Sequence, residues 1–354
     1  MVASARIAVI LCVLLLAGCD RRDTLQGDYC AAPPTGIVQG DPRPDPGTCP
    51  FWAGPCHADY FALPDRAPAS AITHITDDEL EGQFGEIRSG DWPMVEGDLE
   101  PAELADAVVE AANIGWLLDG LETRELKVTE WDSGDEPGWR YRSWMLEDEY
   151  VGKLRGVTIL PDGEGPFPAI VVAHGHTEAD WEWIEQFDGW ELTRRGFAVI
   201  VPTLRNNEAD QAEHDVTMHL LRSGLTFAGV RVYEHLLAQK YAASLPYVDP
   251  CRIGLVGHSG GAVTGNLTIR VSVGFTAYVS DLASDYFTEA GPTLWLDETA
   301  PALNSLYRQV NDFDRSHRPI LKLGYNYETE TSPTIDQRPD MWAFLEENVR
   351  DLVE

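Results

Sequence analysis

The chain is short of basic residues and of cysteine. Lysine and arginine number 26 against 58 aspartates and glutamates, which gives a formal net charge of −32 over 354 residues. A field of that sign opposes contact with every phosphate, so nucleic acid is excluded as the expected partner. The six cysteines form no C-x-x-C pair. No metal site is therefore predicted, and no motif requires a cofactor.

Long apolar runs are also scarce, and the first one is at the N-terminus. Arg6 precedes the apolar residues 7–17, and Cys19 follows a small-residue cleavage site. About 12 apolar residues are too few to span a bilayer. The segment resembles a bacterial lipoprotein signal peptide. That resemblance implies lipid on Cys19, so the mature protein is expected to be anchored to a cell membrane and to face the extracytoplasmic space.

Composition divides the chain into four parts. Residues 1–18 are predicted as the signal peptide, and 19–49, rich in proline, glycine and aspartate, as a tether. Residues 50–121 form a small helical or irregular extension, in which 101–112 is a predicted helix with proline at its start. Residues 122–354 remain for one large domain with a single core.

Export makes the remaining cysteines informative. Outside the signal peptide and the lipidation site these are Cys30, Cys49, Cys56 and Cys251. An even count in an oxidising compartment predicts up to two disulfides. A bond from Cys56 to Cys49 or to Cys30 is favoured because these cysteines are close in the chain.

A nucleophile motif follows one of the apolar runs. Gly257-His258-Ser259-Gly260-Gly261 lies between the apolar residues 252–256 and the small residues 262–267, which read as a helix start. A serine at the tip of a sharp strand-to-helix turn has strained backbone angles and needs neighbours without side chains two positions away. Ser259 is therefore the candidate nucleophile.

A second motif supplies the complementary chemistry. The apolar residues 168–173 read as a buried parallel strand, which ends in His174-Gly175-His176. Acyl transfer leaves negative charge on the former carbonyl oxygen, and backbone N–H groups can stabilise it. The candidate donors are the amides of Gly260 and His176, and Gly175 lets the loop approach the substrate closely.

Taken together, these motifs resemble the α/β-hydrolase superfamily, in particular its acetyl xylan esterase and dienelactone hydrolase type. The resemblance covers roughly 122–354 and is carried by residues 165–175, 194–202 and 248–254 with the elbow. It implies an α/β fold with a mostly parallel central sheet and helices on both faces. It also implies a Ser-His-Asp/Glu triad and the hydrolysis of carboxylic esters, among them acylated sugars.

Two carboxylates are candidates for the triad acid. Asp281 ends the run 275–280, which follows the elbow helix, and Glu328 follows the later strand 320–325. The family's more usual location favours Glu328. The alternative for either residue is a solvated surface carboxylate, which is common in so acidic a chain.

The triad base is harder to find. His317 is the one histidine late in the chain, but it starts the strand 320–325, at the wrong end and about 15–20 Å from Ser259. The remaining candidates are His176 beside the oxyanion loop, and His214 and His219 after the fourth strand. His258 is expected to be a packed structural histidine, because a residue next to the nucleophile points away from it.

The missing late histidine leaves alternatives open. The chain is a serine esterase with an unusual base, a degenerate hydrolase that binds without turnover, or a shortened form of a longer ancestor. A peptidase of the prolyl-oligopeptidase type is a further alternative, although nothing in the sequence resembles its propeller domain.

Overall fold

The computed structural model describes residues 37–39, 95–176, 180–187, 189–204, 220, 224–281, 303, 305–323 and 338–351. Nine strands form one sheet. They are β1 Ile37–Gln39, β2 Leu126–Glu136, β3 Trp139–Asp148, β4 Gly152–Pro161, β5 Phe167–Ala173, β6 Ala198–Thr203, β7 Val248–His258, β8 Tyr278–Asp281 and β9 Ile320–Leu323. The helices are α1 Pro101–Ala111, α2 Gly115–Leu118, α3 Asp180–Gln186, α4 Gly189–Arg194, α5 Phe227–Ser244, α6 Gly260–Val271, α7 Tyr307–Val310 and α8 Arg338–Leu345.

The sheet has an antiparallel flank and a parallel centre. Its strand order is β1-β2-β3-β4-β6-β5-β7-β8-β9. The strands β2, β3, β4 and β6 pair antiparallel, whereas β6, β5, β7, β8 and β9 run parallel. The carboxyl ends of the parallel strands therefore meet at one edge of the sheet, where α/β proteins place their ligand sites. The predicted fold class is confirmed.

The central parallel strands have the apolar composition that burial on both faces requires. The inner strands β5 and β6 are almost wholly buried along their lengths. Strands covered on both faces read as continuous runs of valine, isoleucine and alanine, as these do. The pairing of β5 with β7 continues to the last residue of β5, where Ala173 lies opposite Gly257.

Side chains that alternate along each strand divide the core into two layers. On the first face, Ile253 and Leu255 pack with α1, α2, α5 and α6. On the second face, Val256 packs with α3, α4 and α8. Helices therefore cover both faces, as the resemblance implied.

The N-terminal part of the described chain packs onto the same core. The predicted helix is present as Pro101–Ala111, with proline in its first turn and a capping box between Glu100 and Glu103. Its Leu104 and Val108 belong to the first-face cluster. The boundary at 121 and the tether stay predictions, although Ile37–Gln39, within the predicted tether, pairs in parallel with β2.

One predicted boundary shifts: the strand after the elbow helix begins at Tyr278 rather than at 275. The next strand is present as Ile320–Leu323, and the other two residues predicted for it, 324 and 325, lie outside the described residues. The closing helix begins at Arg338 and continues as a π-helical turn through Glu346–Arg350. None of the helices described here has the length and apolar character needed to cross a bilayer. The signal peptide, Cys19, Cys30, Cys49 and Cys56 lie outside the described residues.

Candidate active site

Ser259 occupies a strained turn between β7 and α6. Its backbone angles are φ 50° and ψ −122°, a combination that costs a residue with a Cβ on the order of 1–3 kcal/mol. Two hydrogen bonds help to fix the turn: the Ser259 amide donates to the Asp281 carbonyl at 2.9 Å, and the Ser259 carbonyl accepts from the Ala262 amide at 2.9 Å. The predicted elbow is therefore formed, and its serine is only half-buried.

The glycines of the motif are required by close contacts. A Cβ on Gly261 would lie 2.0 Å from the Ala173 carbonyl oxygen and 2.4 Å from that of His174. A Cβ on Gly257 would lie 2.8 Å from the Ala262 Cα. Gly261 thus lets the first turn of α6 rest directly on the end of β5, which brings the nucleophile turn and the predicted oxyanion loop together.

His174 holds the oxyanion loop and cannot serve as the base. Its Nε2 accepts a hydrogen bond from the Leu204 amide at 2.8 Å, so the proton is on Nδ1, which donates to the Gly175 carbonyl at 2.8 Å. Burial, assisted by the charge of Arg231, lowers the pKa of His174 from 6.5 to about 3. The ring is therefore neutral, and both of its nitrogens are engaged.

The two predicted oxyanion donors are on adjoining segments. Gly260 is the first residue of α6, so its N–H has no acceptor within the helix. His176 is the third residue of the loop after β5 and is half-buried, while Gly175 is buried. The close approach of Gly261 to the Ala173 and His174 carbonyls brings these two segments together, and the oxyanion role of both amides stays a prediction.

Asp281 forms a buried pair with His258. These residues end β8 and β7 and lie opposite each other in the register. The His258 Nδ1 and the Asp281 Oδ2 are 2.8 Å apart, and the side chains are 7% and 8% exposed. The alternative interpretation of Asp281 as a solvated surface carboxylate is therefore wrong: the parallel register places its carboxylate against an imidazole.

In this pair the imidazole is packed against a neighbouring ring, whereas one oxygen of the carboxylate lacks a hydrogen-bond partner among the described residues. The His258 ring packs against Phe187, with the ring centroids 4.1 Å apart, so the expectation of a packed histidine is confirmed. The second oxygen of Asp281, Oδ1, is buried and has no hydrogen-bond partner among the described residues. The sequence analysis missed this pair, although its signal was present: both residues are the last of adjacent parallel strands.

Two of the other histidines, His317 and His235, can be placed in the fold. His317 precedes β9, whose last residue Leu323 pairs with Asp281, so His317 lies toward the amino edge of the sheet as predicted. His235 is fully buried on α5, where its Nδ1 lies 2.8 Å from the Thr268 hydroxyl. His214, His219 and Glu328 lie outside the described residues and stay predictions.

No imidazole is hydrogen-bonded to the nucleophile in the part of the chain that the structure describes. The hydrogen bonds of Ser259 there are made by its backbone, and its Oγ makes none. Besides His174, the described imidazoles at the carboxyl edge that carries Ser259 are those of His176 and of His258, which is paired with Asp281. Among the described residues, no group of histidine, cysteine and acidic side chains could hold a metal ion.

Comparison with known families agrees with this geometry. The model of the alpha/beta hydrolase family matches residues 170–353, which is more than half of the chain and includes the elbow and the oxyanion loop. The chain therefore belongs to the alpha/beta hydrolase family. No curated protein matches it in sequence.

Solved structures show the same fold at low sequence identity. A putative acetyl xylan esterase from Bacteroides fragilis NCTC 9343 is 14% identical, covers 79% of this chain and 82% of its own, and has a TM-score of 0.52. Acetyl xylan esterase 1 from Thermoanaerobacterium sp. JW/SL YS485 is 14% identical over 74% of this chain and 98% of its own, with a TM-score of 0.47. The likeness to the Bacteroides fragilis structure shows the fold.

Proposed function

We propose that the protein is a serine hydrolase that cleaves carboxylic esters through an acyl-enzyme on Ser259. One observation carries the proposal: Ser259 has a positive φ at the tip of a strand-to-helix turn, against the loop that ends β5. Strain of this kind persists only where the surroundings enforce it, and it clusters at functional sites. A serine that served only to cap α6 would not need it.

The reaction would proceed in two steps. The Ser259 Oγ attacks the ester carbonyl carbon, its proton passes to an imidazole, and the amides of Gly260 and His176 stabilise the oxyanion. The leaving alcohol takes the proton as the acyl-enzyme forms. Water then repeats the sequence and releases the acid. Asp281 is the carboxylate that orients an imidazole, as its bond to His258 supports.

The likeness to acetyl xylan esterases supports short acyl groups on sugars as substrates, and the charge of −32 disfavours polyanionic ones.

The membrane anchor is a second part of the proposal: lipid on Cys19 would hold the enzyme at a bacterial membrane, facing the extracytoplasmic space. Cys19→Ser should then move the full-length protein from the membrane fraction to the soluble fraction of cells. Retention of the variant in the membrane would contradict the proposed lipid anchor and would leave the proposed esterase activity untouched.

The nucleophile can be tested directly. Purified full-length protein should hydrolyse p-nitrophenyl acetate and should be labelled by a fluorophosphonate on Ser259. Ser259→Ala should lose both, with a fall in kcat on the order of 10⁴-fold or more. Ser244→Ala is the matched control, because that hydroxyl only caps the end of α5 by donating to the Tyr241 carbonyl at 2.6 Å. Unchanged turnover in Ser259→Ala would overturn the proposal.

The base can be identified by the same assay. Each histidine candidate is changed to glutamine in turn: His176 and His258, which the structure describes, and His214 and His219, which it does not. The base is the residue whose loss lowers kcat without abolishing binding of substrate. Asp281→Asn should lower kcat together with that base, because the carboxylate would no longer stabilise the imidazolium.

A binding protein without turnover is the second candidate. It is favoured by the Ser259 Oγ, which makes no hydrogen bond to an imidazole among the described residues. This candidate predicts no fluorophosphonate labelling and equal ester turnover in the wild type and in Ser259→Ala. Turnover that depends on any one of the four histidines would exclude it.

A further inference from the structure

Arg338 is a cation beside the candidate site that no described carboxylate neutralises. Seven arginines of the described chain form ion pairs: Arg124, Arg142, Arg194, Arg195, Arg252, Arg315 and Arg350. Arg338 forms none among the described residues, although acids outnumber bases 58 to 26. It shares this with Arg140, Arg270, Arg308 and Arg318, and its place in the fold sets it apart.

The direction of α8 places Arg338 at the edge of the sheet that carries Ser259. The far end of α8 and its π-helical turn lies beside the first half of β7: the Arg350 carbonyl accepts from Arg252 at 2.9 Å, and a Cβ on Gly254 would meet Val349 at 2.8 Å. The helix therefore runs from the carboxyl edge down to the amino edge. Arg338, its first residue, is at the carboxyl edge.

Contacts with α3 hold the guanidinium in that position. Its Cζ lies 5.3 Å from the centroid of the Phe187 ring, and its Nη2 donates to the Gln186 carbonyl at 3.1 Å. One bond of that kind leaves most of the donors of the guanidinium fork available to a ligand. The stacking reduces the side-chain entropy that a ligand would otherwise have to remove.

The Phe187 ring lies between Arg338 and His258, the residue that precedes Ser259. Phe187 is 4.1 Å from the His258 ring, between centroids, and 5.3 Å from the Arg338 Cζ. Because both distances end at the Phe187 centroid, the guanidinium is no more than about 9.4 Å from the His258 ring. His258 directly precedes Ser259, so a substrate of a few bonds' length can reach from one to the other.

We infer that Arg338 selects ester substrates that carry a carboxylate near the scissile bond. The inference rests on the proposed function, whose substrate class it narrows. A net charge of −32 repels anions, so an acid-bearing ester needs a local cation to bind, and Arg338 supplies one in a fork geometry that matches a carboxylate. Glu185, which precedes the contacted Gln186, and Asp340, two residues after Arg338, are exposed, and neither pairs with Arg338 among the described residues.

The test compares two esters that differ by one charge. Mono-4-nitrophenyl succinate carries a free carboxylate, and the same compound capped as its methyl ester does not. The wild type should prefer the anionic ester in kcat/KM, after subtraction of its spontaneous hydrolysis. Arg338→Gln should lower that preference about tenfold, mainly through KM, while turnover of the capped ester stays within about twofold. Sodium chloride should weaken the wild-type preference.

Arg194→Gln is the matched control, since Arg194 is exposed on α4 and paired with Glu191 at 3.0 Å. It should leave the ratio of the two esters unchanged. An unchanged ratio in Arg338→Gln, or an equal loss on both esters, would overturn the inference while leaving the esterase in place. Failure of the wild type to cleave either ester would remove the proposed function, and the inference with it.

Discussion

The two faces of the sheet differ in how their polar side chains are buried. On the first face, every residue of α5 from Phe227 to Ala243 is buried, including Arg231, Glu234 and Lys240. On the second face, the cluster is smaller and is bordered by half-buried aromatic rings such as those of Trp181 and Phe187. One face encloses its polar groups on a single buried helix, whereas the other places polar groups, such as the buried His258 and the partly exposed Arg338, against an aromatic ring.

The two faces also differ in which polar groups they carry. Two of the groups enclosed on the first face are bonded to other parts of the fold: Lys240 donates to the Leu121 carbonyl at 2.8 Å, and Tyr233 donates to Asp148 at 2.9 Å. The groups with functional potential, His258, Asp281 and Arg338, are associated with the helices of the second face. The strained turn at Ser259 is held by its backbone bonds to Asp281 and Ala262.

The largest effect is expected where the two layers meet at the elbow. Gly261→Ala would place a Cβ 2.0 Å from the Ala173 carbonyl oxygen, a backbone atom that cannot move aside alone. We expect a loss of about 3 kcal/mol or more in the free energy of unfolding, or no folded protein. Denaturant unfolding monitored by circular dichroism measures it.

Gly265→Ala is the graded comparison. Its Cβ would meet the Tyr278 hydroxyl at 2.6 Å, which is the far end of a side chain. A smaller loss is expected, because that hydroxyl can give up its bond to the Ala262 carbonyl and shift. Equal losses in the two variants would show that the elbow is not clamped against β5.

The enclosed histidines of the first face predict acid sensitivity. Burial is the main cause that lowers the pKa of both His174 and His235 from 6.5 to about 3. Between these values the unfolded chain binds protons that the folded chain does not, so the free energy of unfolding falls as pH decreases from 6.5 toward 3. Each histidine contributes up to about 1.4 kcal/mol per pH unit.

The variant His235→Asn isolates one of these contributions. The Thr268 hydroxyl donates to the Thr264 carbonyl at 2.8 Å, so the His235 Nδ1 donates to that hydroxyl, as an asparagine amide also can. Urea unfolding at pH 4.5, 5.5 and 6.5 should give a shallower pH slope for the variant than for the wild type. Parallel slopes would mean that His235 is charged or accessible in the folded protein.

The smallest effect is expected at the exposed rim of the second face. Arg195 bridges Glu191 at 2.8 Å and Glu346 at 2.6 Å, with its side chain 31% exposed. Arg195→Gln should cost less than about 1 kcal/mol of unfolding free energy, and high salt should remove the difference. A loss that matched that of Gly265→Ala would erase the distinction between the two faces.

Local sequence pattern was sufficient to predict the elements that apolar runs and glycines delimit. The apolar run before His174 and the glycines around Ser259 predicted a strand, a loop and an elbow, and each is present. The strand after the elbow helix was predicted to start three residues too early. Thr276 there donates its amide to the Ile253 carbonyl at 2.8 Å, before the regular pairing with β9 begins at Tyr278.

The sequence by itself determined the fold class and the position of the strained serine turn, because buried parallel strands and a glycine-flanked turn are encoded in consecutive residues. The partner of His258, the enclosure of α5 and the placement of Arg338 were decided by the tertiary structure. Each of these depends on which strand or helix lies next to which, and residues distant in the chain settle that together.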